Sequence, residues 1–284
     1  MDTLATALRD ATARFQDSDS PLLDAELLLC TVLQKGRGYL RGHPETRLDA
    51  AQAAHFAELV AARARGEPIA YLTGKREFWS LDLSVTPDTL IPRPETELLV
   101  EQALARVPAS ATWEILDLGT GSGAIALALA MERPDCRVVA VDISSEALDV
   151  ARGNGARLGL ANLEFLQGDW YTPVTARRFQ LIVSNPPYIA LSDPHLARGD
   201  LRYEPRQALA SGADGLDDLR HIVAGAPAHL HVGGGLLLEH GSSQAAQVRG
   251  LLQAAGLTEV HSIRDLGGHE RVSLGDWANP PASR

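Results

Sequence analysis

The sequence predicts an α/β protein whose parallel sheet is covered by helices on both faces, preceded by a small helical block and a β-hairpin. Three observations carry this. From Trp113 to Leu274 strand-like apolar runs alternate with helical stretches, the pattern of a parallel sheet with crossover helices. A glycine-rich turn, Gly119-Thr120-Gly121-Ser122-Gly123, joins the first run to an Ala/Leu helix. Residues 1–77, by contrast, carry apolar residues at helical spacing.

Taken in order, Leu4, Ala7, Leu8 and Ala11 share a helical face, as do Leu22, Leu23 and Leu27 with Leu28 to Leu33. Asp49 to Arg65 is Ala-rich, places Phe56, Leu59 and Val60 together, and ends at Gly66-Glu67-Pro68. Tyr71-Leu72-Thr73-Gly74 breaks the helical pattern. Glu77 to Val85 then alternates as a strand, turns at Thr86-Pro87-Asp88 and returns through Leu90-Ile91. The expected division is a helical domain over 1–77, a hairpin linker over 78–92 and a catalytic domain over 93–284. Within the last, strands are expected at Trp113–Asp117, Arg137–Val141, Leu163–Gln167, Phe179–Ser184, Gly235–Glu239, Val260–Ile263 and Arg271–Leu274. A glycine-bearing loop joins the final two, which makes them an antiparallel edge pair. The tail from Asn279 to Arg284 is expected to be dispensable.

Composition excludes several classes of function. At 284 residues and 45% hydrophobic content, the chain suits one large domain plus a small one. Cys30 and Cys136 have no metal-ligand spacing and build no disulfide framework, which fits a reducing compartment. With no signal pattern after the acidic Asp2, a cytoplasmic protein is expected. The longest apolar stretch, Ala124 to Met131, is far short of a membrane span. The nine histidines contain no His-Glu-x-x-His pattern, no Walker lysine loop is present, and no metal is expected. A net charge of −10 argues against stable nucleic-acid binding driven by phosphate contacts. The first 75 residues carry 10 acidic and 9 basic side chains, so nearly all of the negative charge lies beyond them. A near-neutral helical module beside an acidic enzyme is expected to be a substrate-recognition domain; a stabilising cap is the plain structural alternative.

Asn185-Pro186-Pro187-Tyr188 follows the apolar run Phe179 to Ser184. Asn and Pro are ordinary turn residues. Here they would form a rigid cup for a planar nitrogen carrying two hydrogens. The Asn185 side-chain oxygen can accept one N–H and a carbonyl at Pro186 the other, while proline has no N–H to compete. Pro187 stiffens the loop, and Tyr188 can stack on the planar group.

Upstream, Asp117 ends a strand ahead of Gly119, Gly121 and Gly123, which read Gly-x-Gly-x-Gly and not the dinucleotide Gly-x-Gly-x-x-Gly. An acid at that position serves a cationic amino-acid ligand better than a pyrophosphate. Asp142 lies 19 residues after Gly123 at the tip of the next strand, where a carboxylate can hold ribose hydroxyls. Asp169 and Trp170 follow the third strand and can flank an adenine, the acid towards its amine and the indole against its face. Each feature alone has a plain structural explanation. Together they fall on the carboxyl edge of one sheet, where ligands of open α/β sheets bind.

These residues resemble the class I S-adenosylmethionine-dependent methyltransferases, and more closely the release factor glutamine methyltransferase family. That family shares the Asn-Pro-Pro-Tyr loop, the Gly-x-Gly-x-Gly turn and Leu90-Ile91-Pro92-Arg93-Pro94-Glu95-Thr96-Glu97. Tyr203-Glu204-Pro205 with Ala208-Leu209, and Asp265-Leu266-Gly267 with Glu270-Arg271, are similar too. The resemblance covers nearly the whole chain. It implies a Rossmann-like, mostly parallel seven-stranded sheet with S-adenosyl-L-methionine as cofactor. The donor would be held by Asp117, Gly119, Thr120, Gly121, Ser122, Gly123, Asp142, Asp169, Trp170 and Asn185. Asn185, Pro186, Pro187 and Tyr188 would face the target, with Asn185, Pro186 and Tyr188 catalytic. The implied substrate is the glutamine amide in the Gly-Gly-Gln loop of peptide chain release factors.

The Asn-Pro-Pro-Tyr loop also serves methyltransferases of exocyclic adenine and guanine amines on DNA or RNA, which is the alternative activity. A dehydrogenase is disfavoured by the placement of the third glycine. A non-catalytic scaffold would have no use for this loop. Pro92 to Glu97 makes a good helix start and is expected to serve as a lid or target-peptide contact, with no separate roles assigned to Arg93 and Glu97. A monomer is expected.

Overall fold

The computed structural model describes residues 3–278. The expectation for Asn279 to Arg284 lies outside the described residues. The chain divides into two compact units.

The first unit runs to Lys75 and also contains Arg198–Tyr203. Its helices are α1 (Leu4–Thr12), α2 (Pro21–Leu33), α3 (Arg37–Gly42), α4 (Ala50–Ala64) and α5 (Ile69–Thr73). The start of α4 is set by a reciprocal capping box. Asp49 Oδ1 accepts the Gln52 N–H at 2.8 Å, and Gln52 Oε1 accepts the Asp49 N–H at 3.0 Å. The apolar faces of α1 and α4 bury Leu4, Ala7, Ala11, Phe56 and Val60 against Phe15, Leu28, Leu29 and Leu40. On α2 the expected face is wrong in part. Leu22 and Leu23 are exposed, whereas Asp24 and Glu26 are buried. Arg63 pairs with Asp24 at 2.8 Å and Arg37 pairs with Glu26, so these charges enter the interior with their partners. Tyr71 to Gly74 is also corrected. It belongs to α5 and its left-handed glycine cap, with Gly74 at φ 70°. Arg198–Tyr203 joins this unit because Arg202 Nη2 and Tyr203 Oη donate to the Arg65 carbonyl at the end of α4, at 2.7 and 2.9 Å.

The second unit begins at Arg76, inside a hairpin of β1 (Lys75–Phe78) and β2 (Leu81–Ser84). The hairpin turns at Trp79-Ser80, not at Thr86-Pro87-Asp88, and Leu90-Ile91 forms no strand. Trp79 and Ser80 both take positive φ, 51° and 58°, as a two-residue hairpin turn requires. That conformation favours Asn and Gly, so nothing local announces it. Tertiary contacts hold it: Glu97 Oε1 accepts the Trp79 N–H at 2.8 Å, and Trp79 Nε1 donates to Glu132 at 3.0 Å.

The remaining elements are α6 (Glu97–Arg106), β3 (Glu114–Leu118), α7 (Ala124–Glu132), β4 (Arg137–Asp142), α8 (Ser145–Leu158), β5 (Leu163–Gln167), β6 (Phe179–Ser184), α9 (Asp217–His229), β7 (Leu230–Glu239), α10 (Ala245–Ala254), β8 (Thr258–Arg264) and β9 (Glu270–Asp276). Among the described residues, seven strands form one sheet in the order β5-β4-β3-β6-β7-β9-β8. The first five are parallel, while β9 runs antiparallel to both β7 and β8. Successive strand residues alternate between two cores. Ile115, Val138 and Leu181 pack with α6 and α7, and Leu116, Val139 and Ile182 pack with α9 and α10. Strand order reverses at β3, between β4 and β6, which opens a crevice at the carboxyl ends of these strands.

Candidate active site

The crevice at that edge is a cleft of about 240 Å³. Its floor is the glycine turn. Gly121 sits at φ 55° with open space where a side chain would project, so bare backbone faces the cleft. Gly123 sits at φ 87°, and a Cβ there would lie 3.0 Å from Leu127, so that position must be glycine for α7 to pack. Asp142, at the tip of β4, braces the turn. Its Oδ2 accepts the Gly121 N–H at 2.8 Å and its Oδ1 accepts the Ser144 N–H at 3.0 Å. Behind the turn, Asn154 of α8 is fully buried and bonds it to the hairpin. Asn154 Nδ2 donates to the Ser122 and Ser84 carbonyls at 3.0 Å each, and its Oδ1 accepts the Ser84 N–H at 2.8 Å.

Gly119, Gly121, Asp142, Asp169, Trp170, Asn185 and Pro187 all line the cleft. Asp117, Thr120, Ser122 and Gly123 are not among its lining residues. Asp117, Thr120 and Ser122 are buried, and Thr120 Oγ1 donates to Asp117 Oδ2 at 2.7 Å. The other Asp117 oxygen has no hydrogen-bond partner among the described residues. Sequence reasoning missed two walls. One is Asp88, Thr89 and Leu90, from the segment misread as the hairpin's return; the other is Pro205, Gln207 and Ala208. Val141, Ile143, Ser144, Ala147, Gly168 and Asp218 complete the lining. Tyr203-Glu204-Pro205 and Ala208-Leu209, quoted for the resemblance, include Pro205 and Ala208 of the second wall.

Four carboxylates line the cleft (Asp88, Asp142, Asp169 and Asp218), and no Lys or Arg does among the described residues. Such a surface suits a ligand with a cationic centre and hydroxyls and repels a pyrophosphate. The bare glycine backbone, the acid at the tip of β4 and the Trp170 ring therefore fit a sulfonium nucleoside. Burial pushes the Asp117 carboxyl up to about 7 against the Thr120 hydrogen bond, and burial also raises Asp142 against the backbone N–H groups of Ser144, Gly121 and Ile143.

The target side of the cleft is the Asn185 loop. Asn185 Nδ2 donates to Thr96 Oγ1 at 3.1 Å, which leaves its Oδ1 as the acceptor available to the cleft. Pro186, expected to face the target, is buried and is not among the lining residues, whereas Pro187 is. Tyr188 is not among the lining residues; its hydroxyl donates to Glu239 Oε1 at 3.3 Å, and Gln244 Nε2 holds its carbonyl at 2.9 Å. Ser184 Oγ pins the end of β6 to the Leu118 carbonyl at 2.6 Å. The segment from Pro92 to Glu97 thus supplies Thr96 to Asn185 and Glu97 to the hairpin turn. Arg93 pairs with Glu204, whose other oxygen accepts the Ile91 N–H at 3.0 Å. This ties the two unforeseen walls together.

The raised Asp117 predicts a pH effect on stability. Its folded pKa, about 7, exceeds its ordinary value of 3.8, so the folded protein holds a proton that the unfolded chain releases. The stability this contributes is complete below about pH 4 and is lost as pH rises towards 7. Buried Glu239, also raised to about 7, acts in the same sense, and buried His240, whose pKa is lowered, acts in the opposite sense. The melting temperature of the ligand-free protein is therefore expected to fall by a few degrees from about pH 5 to about pH 8. Asp117→Asn should shrink that fall and raise the melting temperature at the alkaline end. An unchanged calorimetric pH profile in Asp117→Asn would rule this account out.

Comparison with known proteins agrees with this geometry. The PrmC N-terminal domain family matches residues 6–74, and the Methyltransferase small domain family matches residues 94–200. A Yersinia pestis protein named release factor glutamine methyltransferase is 56% identical over 94% of this chain and 96% of its own. A Pseudomonas aeruginosa protein of the same name is 54% identical over 98% of this chain and 100% of its own. A Pyrococcus furiosus methyltransferase crystal structure, 19% identical, covers 78% of this chain and 100% of its own at a TM-score of 0.54, which is a likeness of fold.

Proposed function

The chain belongs to the release factor glutamine methyltransferase family, and from that premise we propose that it methylates the glutamine side-chain amide in the Gly-Gly-Gln loop of peptide chain release factors. S-adenosyl-L-methionine is the methyl donor and the cytoplasm the compartment. Among the described residues no helix is long and apolar enough to cross a membrane. The observation that carries the reading is the Asn185 amide, tied at its nitrogen to Thr96 on the border of the acidic cleft.

The donor, when bound, supplies an electrophilic methyl group on a sulfonium. Gly119 and Gly121 would give it bare backbone, Asp142 would take its ribose hydroxyls, and Asp169 and Trp170 would flank its adenine. Asp117, buried below the turn, would supply counter-charge where the cationic donor favours its ionised form. The chemical difficulty lies in the target, because an amide lone pair is delocalised into its carbonyl. Asn185 Oδ1 and a carbonyl at Pro186 accept the two N–H bonds and localise that pair towards the methyl group. Positive charge growing on the nitrogen strengthens both hydrogen bonds, which is transition-state stabilisation by fixed dipoles. Alignment contributes up to roughly 7–11 kcal/mol. No base is needed before transfer, because the methylated nitrogen is acidic enough to lose its proton afterwards. Pro187 and Tyr188 keep the loop rigid.

Exocyclic amines of adenine and guanine offer the same two hydrogens, but a net charge of −10 and a cleft lined, among the described residues, by no lysine or arginine disfavour a polynucleotide. The deciding experiment supplies labelled methyl donor with purified release factor, with the same factor carrying glutamate for the loop glutamine, and with bare nucleic acid. Label on the first alone is expected. Label retained on the glutamate form, or found on nucleic acid, would overturn the substrate assignment.

A further inference from the structure

Resting on that reading of Asn185, we propose that Glu239 is a positioning residue for methyl transfer. Its buried carboxylate fixes the direction of the Asn185–Thr96 hydrogen bond and so decides which end of the Asn185 amide faces the cleft.

The fold brings these groups together from distant parts of the chain. Ser184 of β6 pairs with Leu238 of β7, so Asn185 and Glu239 leave the parallel strands side by side. Glu239 is 1% exposed. Its Oε1 accepts from Tyr188 at 3.3 Å, while Oε2 has no partner within ordinary hydrogen-bond length among the described residues. Thr96, itself buried, accepts from Asn185 at 3.1 Å and makes no other side-chain hydrogen bond of ordinary length among the described residues, so a buried hydroxyl with its proton uncommitted stands close to a buried carboxylate oxygen without a donor. One buried carboxylate therefore holds the loop at Tyr188 and leaves its other oxygen as the acceptor towards which the Thr96 proton can turn.

Shape alone cannot choose the amide's orientation. The two ends of an asparagine amide are nearly the same size, and a threonine hydroxyl can donate or accept. A carboxylate only accepts. With Glu239 ionised, the Thr96 proton turns towards it and Oγ1 is left as an acceptor. The NH₂ end of Asn185 must then go to Thr96, and Oδ1 goes to the cleft. With a neutral group at 239, Thr96 is free to donate to Oδ1. Asn185 would then present N–H to a target nitrogen that is itself a donor, and the grip is lost. The anion at the end of the chain also polarises the Asn185 amide and makes Oδ1 a stronger acceptor.

The groups facing Glu239 set when it ionises. Burial raises its pKa to about 7, the Thr96 and Tyr188 hydroxyls and Arg271 of β9 act against that rise, and Glu95 adds to it. The carboxylate is neutral below that value and ionised above it. Turnover should consequently fall as pH drops through about 7 with cofactor and release factor both saturating.

The test compares kcat–pH profiles of wild type, Glu239→Gln, Thr96→Val and Thr96→Ser, with Asn185→Ala as a separate control. Glu239→Gln and Thr96→Val should each lower kcat at least about tenfold. Donor affinity and KM for release factor should stay within about twofold. The acid limb near neutrality should disappear in Glu239→Gln, Thr96→Ser should retain near wild-type turnover, and the double variant Glu239→Gln/Thr96→Val should be no slower than either single one. Wild-type kcat with an intact acid limb in Glu239→Gln, while Asn185→Ala is inactive, overturns the role of Glu239 and spares that of Asn185. Normal turnover in Asn185→Ala overturns the underlying reading instead. Should Glu239→Gln not fold, as judged by loss of donor binding in calorimetry, the Thr96 pair decides: equal rates for valine and serine overturn the proposal, and a slow valine beside a normal serine supports it.

Discussion

Asn185→Ala is expected to lower kcat on the order of 10²–10³-fold, the scale on which loss of one fixed dipole facing a developing charge is felt. The dissociation constant for the methyl donor should be unchanged, because the groups proposed to hold the donor lie at the glycine turn, at Asp142 and at Asp169-Trp170. KM for release factor should rise little, since one of two hydrogen bonds to the amide is a small part of a protein–protein contact. The split between kcat and affinity separates a catalytic loop from a structural one. If turnover with saturating release factor were unchanged in this variant, the amide-gripping mechanism would have to be abandoned. A parallel fall in donor binding would mean that the loop had collapsed, since Asn185 also holds Thr96 at 3.1 Å.

Asp142→Ala is expected to weaken donor binding first, by roughly 10–100-fold, from about 1.5–3 kcal/mol for a hydrogen bond to a charged group. Loss of the carboxylate removes the acceptor for ribose and also frees the Gly121 N–H that it now holds at 2.8 Å. Asp142→Asn separates the two contributions. One amide oxygen can still accept from either Gly121 or Ser144 but not from both, so an intermediate affinity is expected. Titration calorimetry measures this directly, and wild-type affinity in Asp142→Ala would refute the ribose role.

Legibility in the sequence followed the range of the interactions involved. The capping box at Asp49 and Gln52, the glycine turn and the strand preceding Asn185 all rest on contacts between near neighbours. Each therefore leaves a mark in the residues themselves. The hairpin turn at Trp79-Ser80 does not, because left-handed backbone at a tryptophan and a serine is held by Glu97 and Glu132, 18 and 53 residues away. The exposed Leu22 and Leu23 failed for a related reason. Helical spacing identifies an apolar face only when no charge is buried, and on α2 the buried Asp24 finds Arg63 39 residues later. The lining by Asp88 to Leu90 and by Pro205 to Ala208 depends on Glu204 reaching back to Ile91 and Arg93, across 113 and 111 residues.

The sequence by itself carried the expectations about chemistry: that a sulfonium donor suits an acidic strand tip, and that a loop of the 185–188 type is built to grip an NH₂ group. It could do so because strand tips and glycine turns are encoded by residues that touch along the chain. Only the tertiary structure decided how the loop is held. Thr96, the 185–188 loop and Glu239 come from three separate segments, and a buried carboxylate can direct an amide 54 residues away only once the sheet has placed β6 beside β7.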